Sequence, residues 1–186
     1  MTDRFLECLP YTLEQECPYP KDWTNPRNFS NDAHDPGGKT MCGIIQREYD
    51  SWRKHQGLGV RDVRQLTEAE GRAIYMTNYW FPECPKLPTG LDLQFFDEAV
   101  NTGSAEATKV LQYALGITVD GEWGPMTDAA VSTIRDIPKV VRYFTVRRLH
   151  VYQEMRGFVY FGTDWTRRTQ EIGRTALTMT TNGEQA

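Results

Sequence analysis

Three side chains in the first quarter of the chain have the types that acid catalysis requires. Glu16 is followed, in a turn-rich stretch, by Asp35 and Thr40. Hydrolysis of a glycosidic bond uses one carboxylic acid to protonate the leaving oxygen and a second group to orient or deprotonate a water molecule. Glu16 suits the acid, and Asp35 and Thr40 are candidates for placing the water. A Glu at a helix end and an Asp that opens a turn are also ordinary features, so these residue types alone leave a structural role open.

The elements around these residues predict how they are positioned. Thr2 can cap a first helix that ends at Glu16, and Pro10 inside it predicts a kink or a break into two short pieces. The negative end of the helix dipole at Glu16 favours the protonated form of a carboxyl group, as a general acid requires. Residues 17–43 lose the helical period and are rich in Pro, Gly and Asn, so we expect turns and at most short strands there.

The rest of the chain has the apolar spacing of helices. A helical pattern begins near Ile44, and Thr67-x-x-Glu70 forms a capping box for a helix that runs to about Tyr79. The fold class is therefore predicted as mainly α, with a small hairpin or loop region between residues 17 and 43. Further helices are expected at about 91–101, from Ser104 to Gly116, from Pro125, from Pro138 and at 164–178.

Composition narrows the class of protein. With 186 residues, of which 39% are apolar, the chain can bury a sizeable core. No apolar run approaches the roughly 20 residues that span a bilayer. The net charge of -4 argues mildly against non-specific binding to nucleic acid. The first residues have no apolar secretion signal, so we expect a protein that is made in the cytoplasm.

The four cysteines have no metal-binding spacing. Cys8, Cys17, Cys42 and Cys84 form no CxxC pair and are not accompanied by paired histidines, so no metal site is expected. Free buried thiols are the expected state, and a disulfide formed later in an oxidising space stays open. We expect Cys17 and Cys42 to lie close together, because they flank Glu16 and the Thr40 turn, which must meet across one cleft.

Basic residues are concentrated in the last quarter of the chain. They either face an anionic polymer or lie on solvated helix faces. The arginines concerned are Arg142, Arg147, Arg148, Arg156, Arg167, Arg168 and Arg174.

Several motifs, in order and spacing, resemble glycoside hydrolase family 108. The first two are Leu13-x-x-Glu16-x-x-Tyr19 and Asp35-Pro36-Gly37-Gly38-x-Thr40-x-x-Gly43-Ile44. Later ones include Tyr49-Asp50-x-Trp52 and Phe96-Asp97-x-Ala99-Val100-Asn101. Leu111-Gln112-x-Ala114-Leu115-Gly116 resembles the helical peptidoglycan-binding-type module that accompanies these enzymes. This chain departs from the family in having Cys17-Pro18 after the glutamate and an insertion before Asp35.

The resemblance implies a lysozyme-like fold and a muramidase of the phage endolysin type. Such an enzyme hydrolyses the β-1,4 bond between N-acetylmuramic acid and N-acetylglucosamine in peptidoglycan, with Glu16 as the acid and no cofactor. It would act as a monomer on the cell wall after release from the cytoplasm, without binding nucleic acid or a membrane stably. Residues 1–102 would form the catalytic lobe, and residues 103–186 a helical peptidoglycan-binding-type lobe packed on it.

The same resemblance suggests residues for substrate binding, namely Tyr19, Asp97 and Asn101. Capping or buried hydrogen bonding explains Asp97 and Asn101 equally well. We expect the inserted loop at 20–33 to form one wall of the glycan groove. Two other functions stay open: a non-catalytic peptidoglycan-binding scaffold, and a lytic transglycosylase that uses a single acid.

Overall fold

A computed structural model describes residues 3–31 and 38–182 of the chain. The chain divides into two compact units, Met1–Asn78 and Tyr79–Ala186. Helices dominate both units, as the sequence predicted, and none of the helices in the described ranges has the length and hydropathy needed to cross a bilayer. The second unit begins before residue 103, and the predicted functional lobes stay a prediction.

The first helix of the first unit, α1, spans Asp3–Glu16. Its buried face carries Phe5, Leu9 and Leu13 at helical spacing. The helix runs through Pro10 without a break, so the predicted division into two short pieces is wrong. Burial of one whole face offsets the backbone hydrogen bond that proline cannot make. The predicted cap at Thr2 lies outside the described residues.

A small antiparallel sheet follows α1, and its first two strands lie within the region where the sequence predicted a hairpin. Strand β1 spans Phe29–Ser30, β2 spans Thr40–Met41 and β3 spans Ile44–Ile45, in the spatial order β1-β2-β3. Thr40 is paired with Ser30 on one side and with Ile45 on the other. Ile44 and Ile45, expected to begin a helix, instead form β3, because their alternate burial fits a strand.

Two helices complete the first unit, α2 at Gln46–His55 and α3 at Glu68–Tyr75. The predicted capping box is confirmed, since the Thr67 hydroxyl accepts from the Glu70 amide and the Glu70 carboxylate accepts from the Thr67 amide. Glu70 also pairs with Arg53 at 2.6 Å and with Arg61, which joins α3 to α2 and to the segment between them. A π-helical segment, Met76–Trp80, follows α3 directly.

The second unit is helical throughout its described elements. Its helices are α4 at Leu91–Thr102, α5 at Ser104–Leu115, α6 at Pro125–Ser132, α7 at Ile137–Glu154 and α8 at Phe158–Asn182. Gly116 ends α5 in the left-handed conformation (φ +70°) and Pro125 begins α6, as predicted. The predicted cap by Ser104 is wrong, because Gly103 takes the cap position without a side-chain hydrogen bond. α8 is longer at both ends than predicted.

Candidate active site

Glu16 lies at the last position of α1, half-buried, against the tight turn between β2 and β3. That turn consists of Cys42 and Gly43, both with positive φ (49° and 76°), as two-residue hairpins require. A Cβ atom added to Gly43 would lie 2.9 Å from Oε2 of Glu16 and 2.6 Å from the hydroxyl oxygen of Tyr75. The backbone of the turn therefore touches Glu16 because residue 43 has no side chain.

Hydrogen bonds on two sides hold this turn in place. The buried Tyr75 donates its hydroxyl proton to the carbonyl oxygen of Cys42 at 2.9 Å. The amide of Cys42 donates to the carbonyl oxygen of Asn28 at 3.2 Å. The surface on which Glu16 lies is thus fixed by α3 and by the segment before β1. Sequence reasoning singled out neither Tyr75 nor Asn28 as a support, although a tyrosine at the buried end of a helix is one signal for such a role.

Thr40 lies on β2, two residues before the turn that Glu16 touches. Its half-buried hydroxyl donates to the carbonyl oxygen of Gly38 at 3.1 Å. The hydroxyl oxygen keeps lone pairs that can accept a hydrogen bond from water. The structure therefore brings the hairpin that carries Thr40 against Glu16. Asp35 lies outside the described residues, so its position stays a prediction.

The segment from Cys17 to Ser30 is held by buried residues rather than extended into solvent. Trp23 is only 4% exposed, and its ring lies where a Cβ atom of Gly71 would be, at 2.1 Å. It also contacts the ring of Tyr75 edge-on, with centroids 6.2 Å apart. Trp23 is therefore part of the core of the first unit.

Tyr19 and the exposed charges of this segment lie together on its surface. Arg27 donates to the Tyr19 hydroxyl at 2.6 Å, and its guanidinium lies 5.7 Å from the centre of the Tyr19 ring. Asn28 fastens the backbone underneath, because its side chain accepts from the Tyr19 amide and donates to the Tyr19 carbonyl, both at 2.9 Å. Lys21 and Arg27 are exposed, so these two remain available for the predicted groove wall.

Cys17 directly follows Glu16 and Cys42 directly precedes Gly43, so the contact between Glu16 and Gly43 brings the two cysteines into the same region, as predicted. Both are free cysteines with buried side chains, 5% and 1% exposed. The Cys17 thiol donates to the carbonyl oxygen of Leu13 at 3.6 Å, and the Cys42 thiol donates to that of Trp23 at 3.8 Å. The neighbouring Cys42 thiol lowers the pKa of Cys17 below its ordinary value. The Cys17 thiol, together with burial, raises the pKa of Cys42 well above its ordinary value. Cys17 is therefore the more acidic thiol of the pair.

Asp97 and Asn101 lie on α4 in the second unit, where both make internal hydrogen bonds. Asp97 is fully buried, with one oxygen 2.7 Å from Arg148 and both oxygens 3.0 Å from nitrogens of Arg168. Asn101 donates to the buried hydroxyl of Tyr152 at 2.6 Å. Asp97 is therefore better explained as a buried hydrogen-bonding group, since a side chain without exposed surface cannot touch a sugar. Asn101 is half-buried, and its role in substrate binding stays a prediction.

The basic surface predicted for the last quarter of the chain is smaller than the sequence suggested. Arg148 and Arg168 are buried by their contacts with Asp97 and cannot face a polymer. Arg167 is exposed but forms an ion pair with Glu171 at 2.9 Å. Over residues 3–31 and 38–182, no group of three or more His, Cys, Asp or Glu side chains is arranged to hold a metal ion.

The part of the chain that contains the hairpin matches a known protein family. Residues 23–103 match the sequence model of Glycosyl hydrolase 108. These residues are similar to a glycosyl hydrolase 108 domain. The chain is therefore a glycoside hydrolase, as the motifs indicated. The matched range includes Thr40, Gly43 and Tyr75, whereas Glu16 precedes it.

Comparison with solved structures extends the similarity beyond the matched domain. The chain is similar to SagA of Brucella abortus, with a TM-score of 0.78 and 29% sequence identity over 94% of each chain. This similarity, together with the eight helices and the small sheet of the described residues, confirms the predicted mainly α, lysozyme-like fold. No curated protein sequence matches the chain.

Proposed function

We propose that this glycoside hydrolase is a muramidase, which cleaves the β-1,4 bond between N-acetylmuramic acid and N-acetylglucosamine in bacterial peptidoglycan. The observation that carries the proposal is the position of Glu16. Its carboxylate lies against the Cys42-Gly43 turn, at the end of a helix whose apolar face is packed into the core. A lysozyme-like fold offers a glycan strand a carboxyl group in such a place.

In the proposed reaction, Glu16 is protonated and donates its proton to the oxygen of the leaving sugar. The bond between that oxygen and the anomeric carbon breaks, with positive charge developing on the ring. A water molecule then forms the new bond to the anomeric carbon, and its proton passes to a base. We assign the base to Asp35 on the sequence motif, and the orientation of the water to the Thr40 hydroxyl.

The exposed residues of the segment before β1 suit a role in holding the glycan. Lys21 and Arg27 present positive charge, and Arg27 orders the hydroxyl of Tyr19. Arg27 and Tyr19 together offer hydrogen-bond donors and a ring edge to sugar hydroxyl and amide groups. We propose that Lys21 and Arg27 form the glycan-groove wall predicted for the loop at 20–33, together with the neighbouring Tyr19.

The setting of the activity is also proposed. An enzyme of this type is made in the cytoplasm, reaches the cell wall after release of the endolysin kind and acts there as a monomer. Lysis of permeabilised cells by the added protein, but not by a catalytically dead variant, tests this bacteriolytic role.

The first prediction is that Glu16→Gln abolishes hydrolysis while the fold is retained. Glutamine keeps the size of the side chain but has no proton to deliver, and general acid catalysis contributes about 10²–10⁴-fold to the rate. The rate of release of reducing ends from purified sacculi measures the loss. Binding to sacculi and the circular dichroism spectrum should be unchanged.

Glu14→Gln is the matched control, because Glu14 is an exposed glutamate of the same helix, two residues earlier and on another face. It should retain the parental rate. A Glu16→Gln variant that works at more than a tenth of the parental rate would contradict the assignment of the acid. The products separate the rival functions: 1,6-anhydro sugars would indicate a transglycosylase, and no products at all from the parent would indicate a scaffold.

The second prediction separates the two groups assigned to the water. Asp35→Asn should lower the rate by about 10²-fold or more if Asp35 is the base, because the amide cannot accept the proton. Thr40→Val keeps the shape and removes only the hydroxyl, so its effect should be smaller. Steady-state rates on sacculi measure both variants. The assignment of the base fails if Thr40→Val is severe and Asp35→Asn is mild.

A further inference from the structure

Two cysteines lie on either side of the contact between Glu16 and the hairpin turn. Cys17 directly follows Glu16, and its amide donates to the carbonyl oxygen of Leu13 at 3.0 Å, which closes the last turn of α1. Cys42 directly precedes Gly43, whose backbone lies against the Glu16 side chain. Both thiols are buried in the first unit, next to the two residues that touch. A bond between these two sulfur atoms would therefore tie the two backbone segments that meet at Glu16.

The conformation of Cys42 adds a second, independent observation. Its φ is +49°, the only positive φ at a residue other than glycine within the described ranges. Both positions of a two-residue hairpin turn favour Gly, Asn or Asp, and a cysteine there is conformationally costly. Cys42 therefore occupies a turn position that its residue type does not prefer.

We propose that Cys17 and Cys42 form a dithiol site that a thiol–disulfide oxidant converts to an intramolecular disulfide, cross-linking the end of α1 to the hairpin turn. The cross-link itself does not depend on the muramidase activity. Its consequence for catalysis rests on the proposed function, because it would hold Glu16 against Gly43.

The chemistry balances as an exchange with a small disulfide, RSSR. The thiolate of Cys17 attacks one sulfur of RSSR, which forms a mixed disulfide and releases RS⁻. Cys42 then loses its proton and attacks the sulfur of Cys17, which releases the second RS⁻. The protein loses two electrons and two protons, and RSSR is reduced to two RSH. Cys17 is the first nucleophile because it is the less buried of the two thiols, 5% against 1% exposed, and the one whose pKa is lowered.

The other two cysteines are adjacent in sequence to neither Glu16 nor Gly43 and provide controls. Cys8 lies inside α1 and contacts Arg4, whose guanidinium nitrogen is 3.5 Å from its sulfur. Cys84 lies in the second unit and donates to the carbonyl oxygen of Tyr79 at 3.7 Å. A variant with Cys8→Ser and Cys84→Ser should therefore keep the reactive pair.

The test of the cross-link uses the full chain incubated with oxidised glutathione. Thiols are then counted in denaturant, and tryptic peptides are mapped by mass spectrometry. We expect two thiols to disappear and one linked peptide pair, Cys17 with Cys42, in the parent and in the Cys8→Ser, Cys84→Ser variant. Four remaining thiols, a link to Cys8 or Cys84, or glutathione adducts alone would overturn the proposal.

The consequence is tested by comparing oxidised and reduced protein in the same assay. The bond closes a long loop and restricts the unfolded chain, so the melting temperature should rise by roughly 6–12 °C and fall again on addition of a reductant. Cys42→Ala should remove this response while leaving the other thiols unchanged. The rate on sacculi should stay within twofold of the reduced enzyme, and a loss of activity on oxidation would show that the bond distorts the site. If Glu16→Gln retains activity while the cross-link forms, the acid is misassigned and the disulfide stands.

Discussion

Gly43 controls how closely the hairpin approaches Glu16. Its φ of +76° is open to glycine and costly for other residues, and the space that a Cβ atom would occupy is taken by Glu16 and Tyr75. The positive φ and the lack of room for a Cβ atom therefore both require glycine at this position. The carboxyl group and the tyrosine hydroxyl share the room left by the missing side chain, which keeps Glu16 half-buried.

The third prediction is that Gly43→Ala reduces both stability and activity. A methyl group there would lie 2.6 Å from the Tyr75 hydroxyl oxygen and 2.9 Å from Oε2 of Glu16, so one of the two must move. We expect a loss of about 1–3 kcal/mol in the free energy of unfolding and at least a tenfold loss of rate. Urea unfolding and the sacculus assay measure the two effects.

Gly57→Ala is the matched control for this substitution. Gly57 also has a positive φ, +69°, but a Cβ atom there would meet nothing within 4 Å. This variant should lose stability only because alanine is strained at a positive φ, and it should keep the parental rate. Equal rates for Gly43→Ala and Gly57→Ala would mean that the turn does not position Glu16.

At the scale of elements, the segment between α1 and β1 acts as a packed part of the first unit. Trp23 fills the space beside Gly71 on α3, and Asn28 links the segment to the Cys42 amide through its carbonyl oxygen. The deletion of residues 20–33 would therefore remove core as well as surface. Point substitutions at the exposed positions test the groove wall without this complication.

The fourth prediction concerns two substitutions in this segment. Lys21→Ala combined with Arg27→Ala should weaken binding to insoluble peptidoglycan with little change in melting temperature, because both side chains are exposed. Trp23→Ala should instead cost about 3–5 kcal/mol of stability, because it leaves a cavity in the core. Pull-down with sacculi and thermal melting separate the two effects. Unchanged binding by the double variant would exclude these residues from the groove wall.

At the scale of the whole molecule, each compact unit has its own cluster of paired charges, partly exposed in the first unit and buried in the second. Glu70 joins α2 and α3 in the first unit through its two arginines. In the second unit, Asp97 and Glu98 on α4 meet Arg148 on α7, and Arg168 on α8 pairs with Asp97. The two acidic and two basic side chains of this cluster compensate each other, so their charges can be buried. Removal of any one of them would leave an unpaired buried charge and destabilise the fold.

The fifth prediction is that Asp97→Asn destabilises the second unit by about 3–5 kcal/mol, because it leaves buried positive charge without a partner. Burial raises the pKa of Asp97, but the charges of Arg168 and Arg148 outweigh it and hold the pKa below its ordinary value. The stabilisation by the ionised carboxylate is therefore present above about pH 3.9 and is lost as the pH falls through the lowered pKa. Urea unfolding of parent and variant from pH 7 to pH 2 should show the difference narrowing only below about pH 4. A constant difference across that range would contradict the role of the carboxylate.

Local features of this protein follow from the sequence alone. The capping box at Thr67 and Glu70, the helix end at Gly116 and the loss of helical period after Glu16 each depend on residues within a few positions of one another. The motif order was sufficient to indicate the family whose model matches residues 23–103, and a mainly α fold. Such signals are readable because turns, caps and helical faces are determined by short-range spacing.

Contacts between distant residues were decided by the tertiary structure. The approach of Glu16 to Gly43, the burial of Trp23 against Gly71 and the pairing of Asp97 with Arg168 each join separate elements. An aspartate in a helix has the same spacing whether its carboxylate faces a sugar or a buried arginine, so Asp97 suggested substrate binding until its neighbours were known. What surrounds a side chain depends on how the elements pack, and packing brings together residues whose relation leaves no local pattern in the chain.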